Sequence, residues 1–198
     1  MIRKAFITAL AVALCMPVMA ARKQNAKKSQ FPVAVTELKT ERMVNPMSID
    51  TSTPRLGWII TSDENDVMQT ACHIIVASTP EKAEKLEGDL WDATLLGDRS
   101  QWVRYEGKEL RSNTPCYWRV KVTTNKGESD WSNTAMWNVG LLNEADWSGQ
   151  WIGLEKAMPW DVEDVHSRLS SRYLRTEFSL DKPVKRATLY ISGLGMYE

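Results

Sequence analysis

The sequence has few of the residues from which metal and catalytic centres are commonly built. It contains three cysteines and two histidines among 198 residues, and His73 has no companion histidine or cysteine at metal-ligand spacing. No Gly-x-Ser-x-Gly elbow, phosphate loop or dinucleotide fingerprint is present. No spacing of acidic residues singles out the facing carboxyl pair that a glycosidase needs. The residues themselves therefore predict no catalytic residue, no metal and no cofactor.

The chain also lacks an excess of either charge, since 25 basic residues balance 25 acidic ones. Binding to nucleic acid or to an anionic membrane would favour a strongly basic balance, so these partners are not expected. One local basic group follows the N-terminal apolar run. It is interpreted as a solvated tether rather than a surface-binding arm, and its members are Arg22, Lys23, Lys27 and Lys28.

Long hydrophobic runs are missing apart from one at the N-terminus. Residues 5–16 form an apolar stretch after Arg3 and Lys4, and this stretch is too short to span a bilayer. Small residues at 18 and 20 suit cleavage after Ala20. We predict a helical signal peptide over residues 1–20, a flexible basic linker over 21–31 and a secreted or periplasmic (cell-envelope) protein with no membrane span after cleavage. A membrane anchor and a lipoprotein linked through Cys15 are less favoured alternatives.

From residue 32 onward, short strands are separated by turn signals. The alternation is clearest where Cys116, Trp118, Val120 and Val122 share one face. A turn is predicted at 125–127 and one or two helical turns at 80–87. The pattern predicts an all-β fold with an immunoglobulin-like β-sandwich over residues 32–141. Its predicted strands cover residues 33–38, 55–60, 70–77, 90–95, 102–105, 116–122 and 134–139.

Several apolar side chains are assigned to the core of this sandwich. Cys72 and Cys116 are the two cysteines that remain once Cys15 leaves with the signal peptide, and two cysteines make no disulfide framework. Both lie inside apolar strand patterns and are predicted to be buried small hydrophobic residues. Trp58 and Trp118 occupy inward positions and are predicted to be core residues.

Residues 142–198 read as a junction followed by the start of a second domain. A polar loop through residue 171 precedes two alternating segments at 174–180 and 187–191, joined around Pro183. These segments predict the first strands of an incomplete second β-sandwich. Two strands alone are marginally stable in water, so this region is expected to be poorly ordered by itself.

The nine tryptophans suggest possible carbohydrate contacts, because an indole ring can lie flat against a sugar. Trp102 and Trp160 are the candidates, since both are expected to be exposed. Packing between domains is the competing role and the favoured one for Trp147 and Trp151.

Residues 161–166 gather acidic residues and a histidine without a calcium-loop pattern. They are interpreted as a solvated acidic loop.

The sequence also resembles two known families, the first over a short stretch. Residues 110–132 resemble the closing half of a fibronectin type III domain. Cys116 stands where that family usually has tyrosine, so the corner hydrogen bond of the phenol is expected to be absent there.

Eight further motifs, which begin with NPMSID at 45–50 and end with VKRATLYISGLGMYE at 184–198, occur over nearly all of the chain after the signal peptide. In this order and spacing they resemble bacterial α-L-rhamnosidases. What this resemblance implies is a secreted glycoside hydrolase that removes terminal α-L-rhamnose from plant polysaccharides or glycosides with inversion. Its catalytic acids would lie on a downstream helical barrel, so no catalytic residue is carried over. The motifs are NPMSID at 45–50, TPRLGW at 53–58, QTACHIIVAS at 69–78, GDLWD at 88–92, YWRV at 117–120, DWS at 130–132, DWSGQWIG at 146–153 and VKRATLYISGLGMYE at 184–198.

The leading hypothesis is the non-catalytic N-terminal portion of a secreted α-L-rhamnosidase. Its partners would be a C-terminal catalytic domain and, through the whole enzyme, a rhamnose-containing glycan. The alternative is a stand-alone secreted β-sandwich that binds carbohydrate or an envelope protein.

Overall fold

The computed structural model describes residues 33–153, 158–161 and 172–193. The chain divides into two compact units, and the boundary in the sequence lies between Trp147 and Ser148. The predicted signal peptide at 1–20, the linker at 21–31 and residues 162–166 of the acidic loop lie outside the described residues.

The described part of the first unit, residues 33–147, is almost entirely β-structure, as predicted. One short helix, α1, spans Pro80–Glu84, and a single 3₁₀ turn spans Glu144–Asp146. The strands are β1 Val33–Thr40, β2 Arg55–Ser62, β3 Gln69–Ala77, β4 Trp91–Leu96, β5 Val103–Arg104, β6 Pro115–Thr124, β7 Gly127–Glu128 and β8 Ala135–Asn138.

These strands form two antiparallel sheets, which confirms the immunoglobulin-like sandwich. The smaller sheet has the order β1-β2-β5, and the larger has the order β4-β3-β6-β7 with β8 also paired to β6. A sheet that alternates apolar and polar residues buries its apolar face against a second layer. Accordingly, β6 alternates strictly between buried and half-buried residues.

The strand that returns after β6 is divided in two, whereas the sequence predicts one strand at 134–139. β7 pairs with the end of β6 and β8 with its beginning. Between them, the hydroxyl groups of Ser129 and Ser132 accept hydrogen bonds from the amides of Val122 and Val120 at 2.9 and 3.0 Å. The amides of both serines also donate to the carbonyl oxygens of the same valines at 2.9 Å, so each hydroxyl takes only the acceptor role that a backbone carbonyl has in a regular ladder.

The core is dominated by aromatic side chains. Trp58, Trp118 and Trp137 are fully buried, which confirms the prediction for the first two. The indole of Trp58 donates to Oε1 of Gln69 at 3.1 Å, and Trp118 meets Trp137 edge-on with ring centroids 6.5 Å apart. Large apolar side chains contribute roughly 1.5–3 kcal/mol each when fully buried, so these rings are main contributors to the stability of the sandwich.

Cys72 and Cys116, the two cysteines among the described residues, are buried, as predicted, and are free thiols. Burial raises the pKa of the Cys72 thiol to about 11 and that of the Cys116 thiol to about 12. They pack as small apolar residues.

Tyr105 supplies a bond of the kind that Cys116 cannot make. Its phenol lies within 2.8 Å of the Lys108 carbonyl oxygen and 3.2 Å of the Leu90 carbonyl oxygen, to which the hydroxyl proton can be donated. Burial raises the pKa of Tyr105 well above its usual value. The Tyr105 hydroxyl, just after β5, therefore links the loop that contains Leu90 to the loop that contains Lys108.

Helix α1 is fixed to the larger sheet by a polar anchor. The Thr79 hydroxyl caps the helix by accepting from the Lys82 amide at 3.3 Å, and Pro80 suits the first turn. Asp89 accepts from the Ser78 amide and hydroxyl at 2.8 Å each and from Nζ of Lys82 at 2.7 Å. Ala83 is thereby held in a buried position.

The second unit differs from the prediction. Among its described residues, 148–153, 158–161 and 172–193, no strand is present, so the strands predicted at 174–180 and 187–191 are not formed. Their apolar side chains are exposed, because no paired strand or opposing layer covers them. Assignment of residues 142–198 to the start of a second sandwich stays a prediction. The exposed side chains include Leu174, Phe178, Leu180, Val184, Leu189 and Ile191.

Candidate functional site

Trp102 lies at the edge of the smaller sheet, in the segment that leads into β5. Val103 and Tyr105 point inward, as predicted, and leave Trp102 46% exposed. The neighbouring Gln101 side chain donates to the Trp58 carbonyl oxygen at 2.6 Å. A Cβ at position 57 would lie 2.7 Å from Oε1 of Gln101, so a larger residue there would displace the Gln101 amide.

Beside Trp102, the chain leaves β1 through a tight turn. Thr40 and Met43 exchange two backbone hydrogen bonds of 2.9 Å each, with Glu41 and Arg42 between them at φ angles of 50° and 67°. Positive φ at both central residues is the geometry of a type I′ hairpin turn, which strongly prefers Asn-Gly. Glutamate and arginine therefore occupy this turn against backbone preference.

Two guanidinium groups lie over the Trp102 indole. Cζ of Arg42 is 4.3 Å from the ring centroid and Cζ of Arg55 is 4.5 Å from it. Arg55 is fixed by Glu41, whose Oε2 accepts from Nη2 at 2.5 Å and from Nε at 3.1 Å. We call Glu41, Arg42, Arg55 and Trp102 the arginine–indole cluster.

The arginine–indole cluster carries more positive than negative charge. The hydrogen bond from Arg55 lowers the pKa of Glu41, with a smaller contribution from the charge of Arg104. Arg104 stands opposite Arg55 in the register of the antiparallel strands β2 and β5. Within the described part of the chain, Arg42 has no carboxylate partner. Arg55 and Arg104 both act on the one carboxylate of Glu41, and Arg42 adds a further positive charge at the Trp102 ring, so the site suits an anion.

The second tryptophan candidate, Trp160, belongs to the second unit. It lies in a turn in which the Asp161 amide donates to the Met158 carbonyl oxygen at 2.9 Å, and it is 69% exposed. The exposure predicted for both tryptophans is confirmed. Contact with carbohydrate stays a prediction for each.

His73 packs on the outer face of the larger sheet. Its Nε2 lies 2.7 Å from Oδ1 of Asp92, and its ring centroid is 4.9 Å from that of Trp131. These contacts fit the structural role expected from the sequence.

Over the described ranges, no group of three or more His, Cys, Asp or Glu residues could hold a metal ion. No helix there is long and apolar enough to cross a membrane.

The end of the first unit is tied down by a polar contact. The Ser112 hydroxyl donates to the Asp146 carboxylate and accepts from the Leu142 amide at 2.8 Å. The hydrogen bond from Ser112, followed by those from the side chain and the amide of Asn143, lowers the pKa of Asp146. Neither this contact nor the arginine–indole cluster is predicted by the sequence pattern. Trp147 and Trp151 are exposed, so their proposed role in packing between domains stays a prediction.

Comparison with known proteins gives a consistent result. Residues 35–143 match the family described as Rha78A-like, N-terminal immunoglobulin domain. An α-L-rhamnosidase of Formosa agariphila is 33% identical over 174 residues, which cover 78% of this chain and 18% of that protein. An α-L-rhamnosidase of Alteromonas sp. (strain LOR) is 34% identical over 167 residues, 82% of this chain and 18% of that protein. The chain spans between 17% and 18% of the length of the curated relatives it matches.

Solved structures agree with the sequence relatives. The Streptomyces avermitilis α-L-rhamnosidase complexed with L-rhamnose matches with a TM-score of 0.58 and 32% identity, over 61% of this chain and 12% of that one. The α-L-rhamnosidase of Dictyoglumus thermophilum matches with a TM-score of 0.60 and 29% identity, over 69% of this chain and 16% of that one.

Proposed function

Since the chain belongs to the family of Rha78A-like N-terminal immunoglobulin domains, we propose that it is the non-catalytic N-terminal portion of a secreted α-L-rhamnosidase. The whole enzyme would remove terminal α-L-rhamnose from plant polysaccharides or glycosides. The observation that carries this proposal is the alignment itself: about four-fifths of this chain matches less than one-fifth of proteins named α-L-rhamnosidase.

The role proposed for the chain is that of a scaffold attached to a catalytic domain. The interior of the sandwich is filled by apolar side chains, of which the tryptophans are the largest, and its sequence offers no facing pair of carboxyl groups of the kind glycosidases use. The catalytic acids would therefore come from a part of the enzyme outside this chain. Secretion, or release to the cell envelope, is supported by the signal-like pattern of residues 1–20.

An activity assay tests the non-catalytic role. The purified chain is incubated with an aryl α-L-rhamnoside, and no aryl alcohol should appear above a heat-killed control. The complete α-L-rhamnosidase of a relative serves as the positive control. Release of aryl alcohol by the chain alone would contradict the proposal.

Sequencing the DNA that follows the codon for Glu198 tests the link to a larger enzyme. A continuing reading frame that encodes the remainder of a rhamnosidase is expected. A frame that continues into an unrelated protein would contradict the link.

The exposure of Trp102 and Trp160 favours a second candidate function. A stand-alone secreted sandwich that binds carbohydrate or an envelope protein would present such rings to its ligand. Rhamnose-containing glycans should then quench tryptophan fluorescence in the wild type and less in the Trp102→Phe and Trp160→Phe variants. Equal quenching in all three proteins would argue against this alternative.

A further inference from the structure

The arginine–indole cluster is held in a conformation that its residues do not favour. Glu41, Arg42 and Trp102 all have left-handed backbones, with φ angles of 50°, 67° and 61°. Left-handed conformation costs a residue other than glycine roughly 1–2 kcal/mol. Such strain concentrates at binding and catalytic sites more than at ordinary surface positions. Glu41, Arg42 and Trp102 are three of the eight non-glycine residues with positive φ angles among the described residues, and these three are gathered in one surface cluster.

The positions of the Glu41 and Arg55 side chains are explained by the ion pair between them, whereas Arg42 takes part in no ion pair that would explain its position. Glu41 accepts three side-chain hydrogen bonds from the Arg55 guanidinium and another from the Arg55 amide at 2.7 Å. Arg42 makes no such ion pair among the described residues, and its guanidinium contacts the Trp102 ring at 4.3 Å. This guanidinium is thus positioned by the indole while its hydrogen-bond donors remain available.

An available guanidinium on an aromatic ring is a preorganised site for a carboxylate. Arginine presents its N–H donors as a planar fork that matches a carboxylate in a bidentate manner. Because the stacked side chain is already ordered, less conformational entropy is lost on binding. Arg104, in register with Arg55, adds positive charge that Glu41 does not balance.

We propose that the arginine–indole cluster binds a carboxylate-bearing saccharide, with Arg42 holding the carboxylate and the exposed part of Trp102 contacting the sugar ring. A sugar is favoured over an acidic peptide because the guanidinium group of Arg42 lies beside the part of the indole that the two arginines leave exposed, and this part can contact C–H groups of a pyranose. This binding site goes beyond the proposed scaffold role and does not depend on catalysis.

The left-handed turn provides an unusually clean test variant. Arg42→Gly places glycine at a φ of 67°, where glycine is unstrained. The variant should therefore keep or increase the stability of the fold while removing the fork. Arg42→Lys keeps the charge but loses bidentate geometry. Arg111→Gln is the matched control, since it removes one exposed positive charge from a loop outside the arginine–indole cluster.

Isothermal titration of the full chain with tri-galacturonic acid at low salt measures the binding, with neutral trigalactose for comparison. We expect saturable binding of the acid that weakens as salt rises, and binding of trigalactose at least about tenfold weaker. Arg42→Gly should lose about tenfold or more in affinity, as expected for a charge-assisted hydrogen bond. Arg42→Lys should lose less, and Arg111→Gln should bind like the wild type.

Four results would overturn the proposal, and three of them concern the trisaccharides. These three are absence of saturable binding, equal binding of the acidic and neutral trisaccharides, and unchanged affinity in Arg42→Gly. Equally tight binding of a tri-glutamate peptide would also overturn it and would point to an acidic protein partner. Because tri-galacturonic acid contains no rhamnose, a negative result leaves the rhamnosidase proposal to its own tests.

Discussion

Strand β6 and the segment at residues 174–180 share one sequence pattern but not one structure. In β6, Cys116, Trp118, Val120 and Val122 alternate with half-buried residues and are completely buried. In the second unit, Leu174 and Phe178 stand on the same kind of alternation and are 53% and 80% exposed.

Alternation of apolar and polar residues thus specifies a face of a strand but does not bury it. β6 pairs with β3 along one edge and with β7 and β8 along the other, and the smaller sheet covers its inward face. Segments 174–180 and 187–191 have no ladder among the described residues of the second unit. An apolar strand face is stable only with neighbours and an opposing layer.

Truncation of one large side chain in each region should separate the two regions most clearly. Trp118→Ala is expected to lower the free energy of unfolding of the first unit by about 3–5 kcal/mol, because it leaves a cavity in a packed core. Phe178→Ala should change it by about 0.5 kcal/mol or less, as for an exposed position. Urea unfolding followed by far-ultraviolet circular dichroism measures both. Similar losses in the two variants would show that the second unit is packed like the first.

A smaller effect is expected from the charged anchor of α1. Burial alone raises the pKa of Asp89, but hydrogen bonds from Lys82 and Ser78 outweigh it and lower the pKa from 3.8 to about 2. A depressed carboxyl pKa stabilises the fold above the unfolded-state pKa, and this contribution is lost as the pH falls from about 4 through about 2. Because Asp89 and Lys82 are partly exposed, screening reduces the contribution to about 1 kcal/mol.

The Asp89→Asn variant isolates this contribution. Its free energy of unfolding should be lower than that of the wild type at pH 6, and the difference should shrink as the pH approaches 2. The matched variant is Glu177→Gln, which removes an ion pair with Arg175 whose two side chains are largely exposed. It should follow the wild type at every pH. A constant deficit in Asp89→Asn down to pH 2 would refute the assignment.

An effect of similar size is expected from one of two phenols. Tyr105→Phe removes the hydroxyl that lies 2.8 Å from the Lys108 carbonyl oxygen, and it should cost about 1 kcal/mol. Tyr173→Phe removes a hydroxyl from a fully exposed ring of the second unit and should cost nothing measurable. Thermal unfolding of the two variants side by side provides the measurement. A Tyr105→Phe midpoint equal to that of the wild type would show that the phenol does not stabilise the loops.

Much of the sandwich could be predicted because its strands carry a local signal. Alternation located β6 and the core roles of Trp58 and Trp118, and apolar strand patterns located Cys72 and Cys116. The division between β7 and β8 could not be predicted, because it depends on the hydroxyl groups of Ser129 and Ser132 acting in place of backbone partners.

The candidate site was only partly predictable. The exposure of Trp102 follows from the inward positions of its neighbours, but the two arginines that cover it come from distant parts of the chain. The turn that delivers Arg42 contains neither glycine nor asparagine, so it lacks the usual signal of a left-handed hairpin. The strands predicted at 174–180 and 187–191 show the opposite error, since a clear local pattern does not reveal whether a partner layer is present.

Native-state hydrogen exchange compares the covered and uncovered strand patterns in the same molecule, because it reports the protection of each backbone amide. We expect strong protection of amides at residues 116–122 and exchange near the unfolded rate at residues 174–180 and 187–191. Equal protection of the three segments would refute the contrast between the two units, because it would mean that the second unit forms a paired and covered sheet within this chain.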